Sequence, residues 1–396
     1  MPRLGPALLV ALVTVVAAGH PMLLQPEQVH LALRGNPRTM LVSWVTGNLT
    51  ESVVEYGLLP GRPFSLRAKG SSKVFVDGGS AKRSMYIHEV LLEGLIPGSR
   101  YVYHCGSGLG WSDVFTFVAM KEGTEWVPRF AVFGDMGNEN AQSLARIQKD
   151  TQQGMYDVIL HVGEFDNARV GDEFMRQIES VAAYVPYMTC FHDYNWNLGL
   201  LLTSTHLFLF FLACGTNFHI LFDLILPSKK LRPWIITMGH RPMYCSNTDM
   251  DDCTKIDSLV IQSHGRLIGL LNSQGVDLEI WAHEHVYERL WPVYDQQVCV
   301  QWCLDFPYTD PKAPVHIITG SAGCSERHGH FILKPAAWSA FRSTDYGYTR
   351  MNVHNSTHIY LEQVSDDKVH CLLLFYNIIS SLALTIFFSI CMPAVF

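Results

Sequence analysis

The sequence is poor in charge and has no cluster of basic residues. Charged residues make up 16% of the 396 residues, and the formal net charge is −7. Proteins that bind nucleic acid group their lysine and arginine side chains to neutralise phosphates, so the sequence predicts no nucleic-acid partner. The chain is long enough for two domains and a large core.

A paired metal-binding motif is also lacking around Cys299 and Cys303, because no second Cys/His pair lies near them. These two cysteines therefore do not predict a structural zinc site. Elsewhere, Cys245 and Cys253 flank a polar loop rich in asparagine and aspartate. They could close a local disulfide or remain free thiols, and the sequence leaves both readings open.

The first 19 residues have the pattern of a secretory signal peptide. Arg3 precedes an apolar run at residues 7–16, and the small residues Ala17 and Gly19 follow. A transmembrane anchor is the alternative, but the run is short for one. Secretion agrees with two predicted glycosylation acceptors, Asn48 and Asn355, each in an Asn-x-Ser/Thr tripeptide.

Two long apolar stretches stand apart from the rest of the chain. Residues 198–226 carry scattered polar side chains, so they predict a partly buried or misfitting insert more than a membrane span. Residues 371–396 form a tail with no charge, which is long enough to cross a bilayer. This tail predicts either membrane attachment or removal on lipid anchoring.

Residues 25–120 predict a β-sandwich. Short strand-like runs, such as residues 40–45 and 100–104, alternate with turn signals and show no helical period. The stretch 92–101, which ends at Tyr101, resembles the turn and tyrosine of fibronectin type III domains. No catalytic group of residues stands out here, so we expect a packing module.

Residues 128–367 predict an α/β domain. Strand-like runs alternate with helical segments at residues 140–153, 171–183 and 259–272. In such domains, ligands gather at the carboxyl ends of the strands.

Potential metal ligands follow several of these strand-like runs. They are Asp135 after residues 130–134, Glu164 after 158–163, His240 after 234–239, and His283 with His285 after 275–282. In extended chain, two histidines that are two residues apart project from the same side. Oxygen and imidazole ligands of this kind suit a pair of metal ions that clamp a phosphoryl group and activate water.

The order of these motifs resembles the metallophosphoesterase superfamily. It reads Gly-Asp-x-Gly, Gly-Asp/Glu, Gly-His-x-Pro and Ala-His-x-His, and its most specific pieces are residues 133–137, 235–244, 281–289 and 316–324. In detail the chain resembles the purple acid phosphatases, in the long animal form with an N-terminal fibronectin III-like domain. The resemblance implies a fibronectin III-like β-sandwich followed by an α/β metallophosphoesterase domain. The implied activity is hydrolysis of phosphate monoesters at acid pH by hydroxide activated at a dinuclear metal centre.

The resemblance also implies the ligands. Asp135 and His285 would bind iron, His240 and His283 would bind a second metal (Zn, Mn or Fe), and Glu164 would bridge the two.

Two of the family's motifs are altered. The family has Gly-Asp-x-x-Tyr, whose tyrosine binds iron, but residues 163–167 carry Glu164 at the bridging position and no tyrosine. The family also has Gly-Asn-His-Glu, whose asparagine binds the second metal and whose histidine contacts the substrate. At residues 191–195, His192 stands at that histidine, and the asparagine has no counterpart.

These departures leave two hypotheses. One is a secreted phosphatase with a weakened metal site. The other is a catalytically inactive, secreted or membrane-attached glycoprotein that keeps the fold, since an incomplete ligand set costs metal affinity before it costs the fold. The altered motifs and apolar replacements cluster in blocks, which favours a variant transcript, an imperfect gene model or a decayed copy over retuned catalysis.

Overall fold

The computed structural model of the chain describes residues 21–34, 36–78, 80–123, 125–163, 168–190, 200–202, 209–212, 234–248, 253, 269, 271–273, 275–299, 307–368 and 371–378. Glu164 and His192, the predicted bridging and catalytic residues, lie outside these ranges, as does most of the helix predicted at residues 259–272.

The N-terminal part is a sandwich of two antiparallel sheets, as predicted. One sheet has the order β1-β2-β6-β5; in the other, β4-β3-β7-β8 are joined by β9, which pairs with β7. The strands are β1 (Glu27–Ala32), β2 (Met40–Thr46), β3 (Val53–Leu59), β4 (Leu66–Lys69), β5 (Ser71–Val76), β6 (Ser84–Leu92), β7 (Arg100–Ser107), β8 (Gly110–Trp111) and β9 (Phe115–Val118).

A tyrosine fixes one corner of this sandwich. The buried Tyr101, at the start of β7, accepts a hydrogen bond on its hydroxyl oxygen from the backbone N–H of Ile96 at 2.9 Å. This contact closes the turn between β6 and β7, and it confirms the fibronectin-like corner that the sequence predicts.

The second part of the chain is built from two mixed sheets. The first has the order β12-β11-β10-β22-β23-β24, and the second β13-β14-β15-β16-β20-β17-β21. Their elements are β10 (Arg129–Gly134), α1 (Leu144–Gln152), β11 (Val158–Val162), α2 (Ala168–Ala182), β12 (Tyr187–Cys190), β13 (Leu200–Leu202), β14 (Leu209–Leu212), β15 (Ile235–Gly239), β16 (Leu278–Trp281), β17 (Tyr287–Leu290), β18 (Val293–Tyr294), β19 (Gln297–Val298), β20 (Val315–Thr319), β21 (Ser339–Ser343), β22 (Gly347–Asn355), β23 (His358–Ser365) and β24 (Cys371–Ile378).

The parallel strands at the centre of each sheet carry continuous apolar runs because both of their faces are covered. Between the sheets, Val132 and Leu160 belong to one core cluster with Ile236, Ile280 and Ile317. On the outer face of the first sheet, α1 and α2 cover β10 and β11 in a second cluster. In each sheet the central strands run parallel, β10 with β11 and β15 with β16, so the carboxyl ends of each pair share an edge.

The two parts of the chain meet at α2. The backbone N–H of Val29 donates to Glu179 Oε2 at 2.8 Å, Arg176 pairs with Glu27 at 2.7 Å, and the Tyr103 hydroxyl donates to the carbonyl of Ala183 at 2.7 Å. These contacts support the expectation that the N-terminal sandwich is a packing module.

The apolar stretches contribute strands where the structure describes them. Within residues 198–226, β13 and β14 extend the second sheet, and β14 pairs in parallel with β15. Residues 371–378, at the start of the apolar tail, form β24, which pairs with β23 at the end of the first sheet. Among the described residues, no helix has the length and apolar character to cross a membrane.

Candidate metal centre

The ends of three strands bring Asp135, His240 and His283 together. Asp135 follows β10, His240 follows β15, and His283 lies two residues after β16. Asp135 Oδ2 accepts a hydrogen bond from the backbone N–H of His283 at 2.6 Å, and Asp135 Oδ1 lies 3.6 Å from His240 Nδ1. The two imidazoles approach at 3.1 Å between His240 Nε2 and His283 Nδ1. We call these three residues the strand-end group.

Glycines create the space for the Asp135 carboxylate. Asp135 has a φ of +53°, which is uncommon for a residue with a side chain. A Cβ placed on Gly163 would clash with Asp135 Oδ1, and one placed on Gly320 would lie 2.7 Å from Oδ2. The buried carboxylate therefore occupies a cradle that any larger residue at these positions would fill.

The strand-end group is chemically suited to a metal ion. A carboxylate and two imidazoles are ligands that zinc, iron and manganese accept. The exposed fraction is only 4% for Asp135 and 7% for His240, and placing charged or polar groups at that depth is costly unless a partner compensates them. These residues fit the metal that the sequence predicts.

His285 lies in different surroundings. Its Nδ1 is 3.1 Å from Cys324 Sγ, 3.2 Å from the carbonyl oxygen of Arg327 and 3.8 Å from Glu326 Oε2. We call His285, Cys324 and Glu326 the loop group. The extended geometry assumed for residues 283–285 is wrong, because β16 ends at Trp281 and His283 has a φ of +67°. The two histidines consequently have separate sets of partners.

A buried polar cluster joins β16 and β20 of the second sheet next to the strand-end group. Trp281 Nε1 donates to His316 Nδ1 at 3.1 Å, and Glu279 Oε2 lies 3.3 Å from the same nitrogen. Burial raises the pKa of Glu279 to about 8 and lowers the pKa of His316 to about 3. The Trp281 ring packs so closely on Gly239 that a Cβ there would clash with it, which fixes the backbone just before His240.

Sequence reasoning missed this cluster, although a signal was present. Glu279 is the one acidic residue within the apolar strand β16. An acidic residue in a strand buried on both faces is costly, and that cost points to a partner such as His316.

Cys245 and Cys253 form a disulfide, one of the two alternatives that the sequence leaves open, with their Cα atoms 5.2 Å apart. It lies beside Glu284, whose Oε1 is 3.1 Å from Cys253 Sγ. The bonded cysteines cannot act as thiolate ligands, so their grouping with Glu284 is structural.

The predicted glycosylation acceptors differ in accessibility. Asn355 is the last residue of β22 and is exposed, whereas Asn48 is half-buried.

Family models cover most of the chain. Residues 26–119 match the purple acid phosphatase N-terminal domain, residues 128–287 the calcineurin-like phosphoesterase domain, and residues 313–370 the iron/zinc purple acid phosphatase-like C-terminal domain. An acid phosphatase type 7 from Danio rerio is 51% identical, over 90% of this chain and 91% of that protein. The chain belongs to the purple acid phosphatase family. It is a hydrolase of the purple acid phosphatase type, a family that depends on a dinuclear metal centre.

Other purple acid phosphatases resemble the chain over most of its length. The human acid phosphatase type 7 is 49% identical, over 87% of this chain and 88% of that protein. A purple acid phosphatase structure from yellow lupin seeds has a TM-score of 0.74 at 20% identity, over 92% of this chain and 78% of that one. This likeness shows a shared fold, and it confirms the predicted order of a β-sandwich followed by a metallophosphoesterase domain.

Proposed function

We propose that the chain hydrolyses phosphate monoesters at a centre of two metal ions, one iron and one zinc, manganese or iron. Its ligands are Asp135, Glu164, His240, His283 and His285. The observation that carries the proposal is the strand-end group, in which a buried carboxylate and two imidazoles converge from separate strands within 3.6 Å.

The residues of the chain would divide the work as follows. Asp135 and His285 would hold the iron, His240 and His283 would hold the second ion, and Glu164 would be the ligand that both ions share. Bound metal ions supply a hydroxide nucleophile at acid pH and neutralise charge on the phosphoryl group. His192 contacts the phosphate of the substrate. The clash that a side chain at Gly163 or Gly320 would cause with Asp135 supports a carboxylate held in one position.

A second candidate function is an inactive protein that keeps the phosphatase fold. Residues 163–167 contain no tyrosine, and residues 191–195 lack the asparagine motif of the family. Loss of these ligands would weaken metal binding while the two-sheet scaffold, which does not depend on them, persists.

We also propose the domain boundaries of the chain and its localisation. Residues 1–19 act as a signal peptide, 25–120 form the N-terminal domain and 128–367 the metallophosphoesterase domain. The protein is secreted and carries glycans at Asn48 and Asn355, and residues 371–396 provide the segment through which it could attach to a membrane.

Hydrolysis of a generic aryl phosphate by the purified full chain tests the function. We expect hydrolysis with an acid optimum. Asp135→Asn should lower the rate by more than about 100-fold, because it removes a metal ligand, and the loss of a residue that merely hydrogen-bonds to a ligand already lowers activity by about 10–100-fold. Asp310→Asn, at an exposed position, is the control and should leave the rate unchanged. Absence of hydrolysis in a folded, metal-loaded wild type would support the inactive protein instead.

A further inference from the structure

The loop group contains two side chains that the proposed dinuclear centre does not use. Cys324 is a partly buried free cysteine, and Glu326 is exposed, with 79% of its side chain accessible. One ligand atom from each of these residues and one from His285 lie within 4.8 Å of one another.

The spacing of these atoms suits a tetrahedral ion. Zinc bonds of about 2.3 Å to sulfur and about 2.0–2.1 Å to nitrogen and oxygen place neighbouring ligand atoms about 3.3–3.6 Å apart. The observed separations from His285 Nδ1 are 3.1 Å to Cys324 Sγ and 3.8 Å to Glu326 Oε2. An ion would therefore require the imidazole and the thiol to move apart by a few tenths of an ångström and the exposed glutamate to approach them by a similar amount.

Backbone contacts hold Cys324 and His285 in place without the ion. The Asn140 side-chain amide donates to the carbonyl of Cys324 at 2.7 Å, and the N–H of Gly329 donates to the carbonyl of His285 at 3.2 Å. Gly323, just before the cysteine, has a φ of +109° and no room for a Cβ, which would clash with Asn140. Two of the three ligands therefore lie on fixed backbone, and the third is free to close over the ion.

We propose that His285, Cys324 and Glu326 bind a single divalent cation of borderline softness, best matched by zinc, with water as the fourth ligand. Binding replaces the proton of the Cys324 thiol, which leaves to solvent, by a sulfur–metal bond. Hard ions such as magnesium and calcium are disfavoured by a sulfur ligand.

His285 is also a ligand of the proposed dinuclear centre, and its two ring nitrogens can each bind one ion. On the further condition that the proposed function holds, an ion bound to Nδ1 in the loop group leaves only Nε2 for that centre and fixes the orientation of the ring. Zinc above the stoichiometric amount should then change the rate of hydrolysis. The loop group itself needs no other residue of that centre.

Titration of the full metal-free chain with Co²⁺ tests this site by spectroscopy. We expect a thiolate-to-cobalt charge-transfer absorption in the wild type, its loss in Cys324→Ser, and a marked weakening in Glu326→Gln. The matched controls are Cys299→Ser, at another partly exposed free cysteine, and Glu93→Gln, at an exposed glutamate far from the site. Both should retain the absorption.

Asp135→Asn separates this proposal from the proposed function. It should stop hydrolysis and leave the cobalt–thiolate absorption unchanged. An absorption that survives Cys324→Ser, or that disappears in Asp135→Asn, would overturn the separate site.

Alkylation of Cys324 in the wild type gives a second readout that needs no variant. Zinc should protect this cysteine from alkylation and leave Cys299 reactive. Equal labelling of Cys324 with and without zinc would also overturn the proposal.

Discussion

His283 and His285 are two residues apart, yet they belong to two differently built regions. The strand-end group is set at the ends of buried strands, and glycines leave room for its carboxylate. The loop group depends on a loop after β20 and has an exposed member in Glu326. The difference shows that neighbouring ligands in a motif can differ in rigidity, and we expect the first group to tolerate less change.

The largest expected effect comes from removing each histidine of the pair in turn. His283→Ala should lower hydrolysis by more than about 100-fold through loss of a ligand, and should keep the cobalt–thiolate absorption. His285→Ala should lose both. His354→Ala, at an exposed position, is the control. Identical cobalt spectra for the two alanine variants would show that the groups are not separate.

A methyl group at Gly163 should damage the strand-end group alone. Gly163 has a φ of +123°, and a Cβ there would clash with Asp135, so Gly163→Ala should displace the carboxylate. We expect backbone strain of about 1–3 kcal/mol and weakened metal binding, measured by denaturant unfolding and metal titration.

The matched control is Gly154→Ala, where φ is +72° and no atom lies within 4 Å of the added Cβ. It should lose about 1–2 kcal/mol of unfolding free energy and bind metal normally. Equal metal affinity in both variants would contradict the claim that Gly163 leaves the space needed by the Asp135 carboxylate.

Glu279, which is buried near the strand-end group, should make the free energy of unfolding depend on pH. Its pKa rises from 4.5 to about 8 in the folded chain, so the native state binds more protons than the unfolded state in this window. Stability should therefore fall as pH rises, by up to about 1.4 kcal/mol per pH unit. The lowered pKa of His316, from 6.5 to about 3, acts in the opposite direction below pH 6.5.

Above pH 6.5 the effect of Glu279 remains unopposed within this pair. Urea unfolding from pH 6.5 to 8 should show a smaller decline for Glu279→Gln than for the wild type, because glutamine stays neutral. Glu93→Gln should follow the wild type. Parallel declines in all three proteins would exclude a proton held on Glu279.

The smallest expected effect lies in the N-terminal sandwich. Tyr101→Phe removes the hydrogen bond from Ile96 and should cost about 1 kcal/mol of unfolding free energy. Metal binding by both groups should stay unchanged. A change in metal affinity would show that the sandwich influences the site through α2.

The parts of the fold and site that depend on local sequence pattern could be predicted from the sequence. Apolar runs that end in Asp135 and His240 mark buried strands and their carboxyl ends, so the meeting of these residues follows from strand order. For Cys245 and Cys253 the short loop between them allows a disulfide, but the sequence alone does not choose between a disulfide and free thiols, and the structure supplies the bond.

Contacts between distant loops could not be predicted in this way. Cys324 and His285 are 39 residues apart, and their approach depends on the conformation of residues 320–329. The left-handed φ of His283 likewise reflects its contact with Asp135 across the two sheets. The spacing of residues in the sequence predicts neither contact.

The metal content of the purified full chain tests the central proposal most directly. Elemental analysis after removal of loosely bound ions should find two metal ions per chain in the wild type and also in Cys324→Ser, which lacks the thiolate of the loop group, and fewer in Asp135→Asn. Less than one metal ion per folded wild-type chain would contradict a dinuclear phosphatase and leave the fold without its chemistry.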